Sequence, residues 1–476
     1  MSDLLIRDVL VIDGTGESPY QGDVSVRAGR IEAVGKLTTN GAQVVDGAGL
    51  ALAPGIIDSH THYDAQITWD AWTTPSVSLG VTSLIMGNCG FGIAPCWEKD
   101  RAITLANLTQ VEGMSLEALT EGTQWSFTSF AEYLNFLESN RVGPNVACYC
   151  GHSSLRMHVM GEAAAERLAT DDEVEKMKTL LLDALRAGAC GFSTSTFEGH
   201  NGLGGRPMPS RLADESEIMS LTKVLGMHGS GNFMLTKGSK TTMKFLESLA
   251  TESGRPVMVA ALLVDNLNPD RIFRELDAIQ AATERGNSMI GQVSCSPMIM
   301  DFKLDSAYPM EILDTWQQVI PIYADHERLS AIYANNSFRD GVRSDLKRDV
   351  AVREYTPQFD RIHIIETNDS KYASYIGKTI EEAAVATGVD PLDWFLDCGI
   401  ESGFDVKFSA EILNVDEELV SGALLHPASN VSLSDAGAHL TLFCDAGFGL
   451  HVLGHWVRDR GAFELSEAVR MVSAAQ

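Results

Sequence analysis

From residue 51 onward one pattern recurs: a short, almost wholly apolar run followed by a longer amphipathic segment. The runs are ALAPGIIDSH, TSLIMGNCG, NVACYCGHS, GACGFSTS, GNFMLTKG, RPVMVAALL, SMIGQVS and SNVSLSD, eight in all. Runs of this length, apolar on both alternating faces, suit strands covered on both sides, as in a parallel sheet whose crossovers are helices. The intervening segments carry helix signals. Thr170-Asp171-Asp172-Glu173 reads as a capping box, Val174, Met177, Leu181 and Leu185 share one face, and Gly188 supplies the stop. Eight such units predict an α/β fold, a (β/α)8 TIM-like barrel, with its chemistry at the C-terminal ends of the strands.

Two stretches fall outside that repeat. Residues 1–50 alternate apolar and polar residues around Gly-rich turns in LLIRDVLVID, DVSVRAGRIEAVG and AQVVDGAG, which predicts a small antiparallel sheet. So small a sheet needs a partner layer, so 1–50 is read as half of a composite β-sandwich beside a barrel spanning 51–476. Residues 300–428, between the seventh and eighth runs, are too long for one crossover. They contain RIHIIET and a helical GKTIEEAAVATG, and read as an insertion over the barrel mouth: either a lid that shapes specificity or a decoration that only packs.

Charge and cysteine usage narrow the classes. The formal net charge is −28, which repels nucleic acid and anionic membranes at long range, so neither is expected as a partner. There is no run of about 18 apolar residues that would span a membrane. MSDLLIRDVLVIDG lacks the charged-then-apolar order of a secretory signal, and the eight cysteines form no CxxC. Reduced thiols in the cytoplasm are the expectation, with a homo-oligomer left open. Neither a GxSxG elbow nor a Walker A motif occurs, which argues against a serine hydrolase or an ATPase.

The sharpest local signal is Asp58-Ser59-His60-Thr61-His62, directly after an apolar strand. Residues two apart on a strand point the same way, so His60 and His62 would offer two of the four ligands of a tetrahedral zinc. Asp435, after NVSL, is the second: a carboxylate at the end of a buried strand is costly unless paired or metal-bound, although it would equally cap the next helix. Cys89 alone reads as a buried thiol. His152 touches substrate, buttresses the site or is a satisfied core histidine, and Arg156 would pair with a carboxylate. His439 lies four residues beyond Asp435, and His451 with His455 reads as a packed pair.

GLALAPGIIDSHTHYD, GVTSLIMGNCG, GHSSLR, LSDAGAHL and LGHWVRDRG occur in that order. Together they make the chain resemble the amidohydrolase superfamily, and within it the N-acyl-D-amino-acid deacylase (D-aminoacylase) branch. The resemblance implies a barrel carrying one or two zinc ions. It makes His60, His62 and Asp435 metal ligands, Asp435 also the proton shuttle, and Cys89 a metal-bridging thiolate. It implies a small-molecule amide substrate; His152, Arg156 and His439 are the residues expected to bind it. The branch places a histidine at the end of strand five and another at strand six; here those runs read NFMLTKG and VMVAALLV. The metal is therefore expected at His60, His62 and Asp435. Lys237 would either be carboxylated and bridge metals, hold a substrate carboxylate as an ammonium, or sit in solvent. Lys237, Arg156, Arg206 and Arg211 are the candidates for that carboxylate. Two other functions compete: hydrolysis of another amide, cyclic amide, carbamate or ester, and ligand binding by a metal-poor, non-catalytic homologue. Chains of this branch continue beyond ELSEAVRMVSAAQ with strands that complete the N-terminal sheet, so an incomplete sheet with an unpaired edge is expected here.

Overall fold

The computed structural model describes residues 3–39, 41–348, 355–438 and 445–476. The N-terminal strands are β1 (Leu4–Val11), β2 (Tyr20–Arg27), β3 (Arg30–Gly35), β4 (Gln43–Asp46) and β5 (Ala51–Leu52). They form one open sheet in the order β3-β2-β1-β4, with β5 also on β1. The sheet is mixed, which corrects the antiparallel expectation. β1–β2 and β2–β3 are antiparallel, but the chain crosses under and lays β4 and β5 parallel to β1. One face buries Val9, Val11 and Val24; outward on the sheet, Tyr20, Ile31, Val34, Val44 and Val45 are exposed.

All eight apolar runs form strands. β6 (Ile56–Asp58), β7 (Val81–Met86), β8 (Asn145–Gly151), β9 (Gly191–Ser195), β10 (Asn232–Thr236), β11 (Val257–Leu262) and β12 (Met289–Val293) pair in sequence order, each parallel to the next. The insertion then contributes β13 (Met298–Phe302), β14 (Ile362–Glu366) and β15 (Lys407–Leu413), an antiparallel sheet in the order β13-β15-β14. β16 (Ser429–Val431) returns to pair with β12. The ring closes through a parallel bridge between Thr61 and Ala436, with His62 N–H donating to Ala436 O at 2.7 Å. This is a TIM-like barrel with a small N-terminal sheet.

The long helix before β9 starts as its sequence dictates. Asp171–Ala187 is opened by the Thr170/Glu173 capping box and stopped by Gly188 in the left-handed region, and it buries Met177, Leu181 and Leu185 against the barrel.

The insertion has a core of its own, with Trp316, Tyr333, Phe395 and Phe408 fully buried in it. The helix Glu417–Leu424 does not belong to that core: Val420, Ala423 and Leu424 join the barrel's. Asn414 fastens the two bodies. Its Oδ1 accepts from Val264 N–H at 2.7 Å, its N–H donates to Val264 O, and its Nδ2 donates to Ser294 O. Leu263, Tyr355 and Leu413 bury together at this junction, above the sixth strand's end.

Candidate metal centre

β6 ends at Asp58, and the extended chain beyond it is locked on both sides. Ser434 Oγ donates to Asp58 Oδ2 at 2.6 Å, Ser59 Oγ lies 2.8 Å from Ser432 Oγ, and Thr61 Oγ1 donates to Ile85 O at 2.8 Å. Burial lifts the Asp58 carboxyl to about 7 against the pull of Ser434 and His60. These contacts stitch the first strand's extension to the last, and so turn His60 and His62 inward towards Asp435.

Gln292, on β12, orients the first imidazole. Its Nε2 donates to Ser59 O at 3.3 Å, which leaves Oε1 facing His60 Nδ1 at 2.8 Å. An acceptor there keeps the proton on Nδ1, so Nε2 presents a lone pair to the barrel axis.

The turn after β7 brings the thiol in. Gly87 has φ +79, and a Cβ there would lie 2.5 Å from Tyr149 O, so only glycine fits. Cys89, also at positive φ (57°), is buried, and Thr236 Oγ1 donates to its Sγ at 3.0 Å. From the last strand, Leu433 and Asp435 hold φ of 80° and 47°, a strained turn that folds the Asp435 carboxylate back over the imidazoles.

Three donors meet, and Asp435 lies against both imidazoles. His60 Nε2 lies 3.3 Å from Cys89 Sγ and 3.3 Å from Asp435 Oδ1; His62 Nε2 lies 3.7 Å and 3.4 Å from the same atoms. Around one zinc with bonds of about 2.0–2.1 Å to N and O and about 2.3 Å to S, neighbouring donors stand about 3.3–3.6 Å apart. His60, His62 and Cys89 form a group able to hold a metal ion among the described residues. Burial alone would raise the Cys89 thiol, but the two imidazoles outweigh it and bring it down to about 7. Burial opposes protonation of His62, yet Cys89 and Asp435 push it well above its ordinary value. The thiol, the carboxylate and the two imidazoles thus hold protons between them, and a cation could take the place of those protons.

The donors line a cavity of about 100 Å³. His200, Thr236, Lys237 and Arg271 supply its other polar lining, and Leu263, Met298, Met300, Tyr355 and Leu413 give an apolar wall, mostly from the insertion and its junction.

The other expected site residues divide. His152 and Arg156 are not cavity residues, which corrects the expectation that they contact substrate. His152 opens the helix His152–Met160 instead of ending the strand, so its side chain turns behind the barrel wall. There its Nδ1 meets Thr194 Oγ1 at 2.8 Å and its Nε2 meets Glu217 Oε1 at 2.9 Å. Arg156, also fully buried, gives both Glu217 oxygens Nη1 contacts of 2.7 and 2.6 Å. Arg206 caps Glu162 O, and Arg211 donates to His200 O and Asn201. Lys237 lines the cavity, but its ammonium pairs with Glu275 at 3.1 Å. A carboxylated lysine would set two negative groups at that distance, so the contact is that of a lysine ammonium with a carboxylate. His439 lies outside the described residues. His451 and His455 stack at 4.7 Å, with His455 on Glu417, remote from the cluster's ligands.

Sequence reading missed Gln292, His200 and Arg271. Gln292 had a signal, a polar residue inside a buried strand run. His200 and Arg271 lie in a loop and on a helix face, where nothing in the pattern marks them.

Residues 43–298 match the amidohydrolase family model. The chain belongs to the amidohydrolase family. This amidohydrolase is 30% identical over 484 residues to an uncharacterised protein of Mycobacterium tuberculosis, covering 95% of the chain and 76% of the relative. It is 37% identical over 228 residues to the D-aminoacylase of Alcaligenes xylosoxydans xylosoxydans, covering 48% and 43% of the two chains. A crystal structure of D-aminoacylase superposes with a TM-score of 0.65 at 26% identity, over all of this chain and 85% of that one. As a member of the family, the amidohydrolase is an enzyme that hydrolyses amide C–N bonds outside the peptide backbone. No helix among its described residues is long and apolar enough to cross a membrane.

Proposed function

We propose that this amidohydrolase removes the acyl group from N-acyl-D-amino acids, using a single zinc ion held by His60, His62, Cys89 and Asp435. The observation that carries the reading is the close approach of His60, His62 and Cys89, with Asp435 against both imidazoles, in a cavity that Lys237 and Arg271 also line. Strands five and six offer Thr236, Lys237, Ala260 and Ala261 where a second ion would need imidazoles. Bound zinc would supply a water acidic enough to attack at neutral pH and a Lewis acid for the amide carbonyl.

The chain's own groups do the rest. Gln292 holds the His60 tautomer. Asp435 takes the proton of the attacking water and returns it to the amine nitrogen as the C–N bond breaks, giving a carboxylic acid and a free amino acid. Lys237 and Arg271 hold the substrate carboxylate. Arg271 and Glu275 are four residues apart on the helix Asp270–Glu284 and so share a face, on which Glu275 keeps the Lys237 ammonium paired and aimed before substrate arrives. The insertion's apolar wall accepts an aliphatic part of the substrate and excludes water from the amide.

The test is a substrate panel on zinc-loaded protein: N-acetyl-D-amino acids, their L-enantiomers, and the cyclic amides hydantoin and dihydrouracil. Cleavage of the D-series above the other two is expected. Failure to cleave any N-acyl-D-amino acid overturns the proposal, and ring opening without it would move the reading to cyclic amides.

A further inference from the structure

A second recess adjoins the metal cavity, and nothing in the mechanism above uses it. It lies between the segment after β7 and the helix Arg101–Glu112, the loop after β9, and the insertion. Met114, Leu116, Leu203, Ile320 and Pro321 make its apolar lining. Its floor is tight: a Cβ on Gly205 would sit 3.2 Å from Ile320 Cγ2, so loop and insertion touch there. One side chain, Tyr308, is common to this groove and the metal cavity, so the two meet at that ring.

We propose that the groove beyond Tyr308 is an acyl subsite, and that the preferred substrates carry a medium or long straight acyl chain. The proposal rests on the N-acyl-D-amino-acid reading above. Orientation follows from strand order. The donors come from the first, second and last barrel strands, and the cations from the end of the fifth strand and the helix after the sixth, across the barrel mouth. A substrate whose carboxylate lies on Lys237 and Arg271, with its amide at the donors, has its carboxylate end fixed. The acyl substituent must leave elsewhere, and the groove opens by the second and fourth strands' loops. A hydrocarbon chain in the groove meets the methyl and methylene groups of Met114, Leu116, Leu203 and Ile320.

The experiment compares zinc-loaded full-length protein on one D-amino acid bearing acetyl, hexanoyl or decanoyl groups. Burial of each methylene predicts at least about a two-fold rise in kcat/KM, so decanoyl, eight methylenes longer, should exceed acetyl by at least about 250-fold. Ala324→Trp fills the groove from an exposed position, and Leu203→Asp sets a charge in it, also from an exposed position. Each should cut the decanoyl-to-acetyl ratio at least ten-fold. A ratio near or below one in the parent protein, or a ratio that neither variant changes, overturns the subsite. If no N-acyl-D-amino acid is cleaved, the functional reading fails separately, and calorimetric titration judges the groove. Decanoate bound at least ten-fold more tightly by the parent than by Ala324→Trp upholds it; equal binding overturns it.

Discussion

Replacing Glu217 with glutamine should cost about 3–5 kcal/mol of folding stability and leave substrate affinity untouched. Glu217 is 3% exposed, and Arg156, its bidentate partner, is fully buried. Burial alone would raise the Glu217 carboxyl, but His152 and Arg156 overcome it and hold it at about 2 rather than 4.5. A displacement of that size corresponds to about 3 kcal/mol, which agrees with the usual loss when one member of a buried ion pair is removed. Glutamine keeps the shape and one acceptor, so the loss reports the charge left on Arg156. Unfolding entropy of about 2 cal/mol/K per residue over this chain's length makes each degree worth about 1 kcal/mol, so the thermal midpoint should fall by about 3–5 °C at pH 7. The sign with pH is fixed. A carboxyl depressed on folding stabilises fully above its unfolded value and loses that contribution as pH falls through about 2. The gap between parent and variant should therefore close between about pH 4.5 and 2. Calorimetry across that range is the assay. A midpoint within 1 °C of the parent would refute the account of this network, and a raised KM would return His152 and Arg156 to the substrate.

The remaining predictions concern the cavity. Asp435→Asn should lower kcat by about 10²–10⁴-fold with little change in KM, since it removes the proton carrier; a fall of less than ten-fold would assign that proton elsewhere. Gln292→Leu should weaken zinc binding about 10–100-fold in a chelator competition, because His60 loses the acceptor that fixes its tautomer, and unchanged affinity would contradict that role. Lys237→Met should raise KM for an N-acyl-D-amino acid by about ten-fold or more while kcat holds, reflecting a lost charge-assisted hydrogen bond; a fall in zinc content instead would restore the lysine to the metal.

The barrel was legible because both-face burial leaves a clear mark on sequence: each of the eight apolar runs is a strand, and the Thr170 capping box opens the helix it announces. The HxH pair was legible for the same reason, since strand geometry alone aims His60 and His62 together. What escaped depends on contacts between distant segments. β4 looks like any other alternating strand, and only the crossover makes it parallel to β1. His152 looks like the end of a strand, but the helix starts one residue sooner than its motif suggests and carries the ring behind the wall. Lys237 had several possible fates in the sequence, and its contact with Glu275, 38 positions away on a helix face, had no local mark. Cys89 had no local mark beyond its glycine-flanked turn, and its place beside two imidazoles comes from the family resemblance first and the geometry second.

X-ray absorption at the zinc edge of the purified, zinc-loaded protein, with metal content measured on the same sample, puts the four-donor cluster to the test. One equivalent of zinc should show a single sulfur neighbour at about 2.3 Å and nitrogen or oxygen neighbours at about 2.0–2.1 Å, with the sulfur lost in Cys89→Ala. A spectrum without sulfur, or a protein that retains less than about half an equivalent of metal, would contradict the claim that Cys89 and Asp435 close a metal site around His60 and His62.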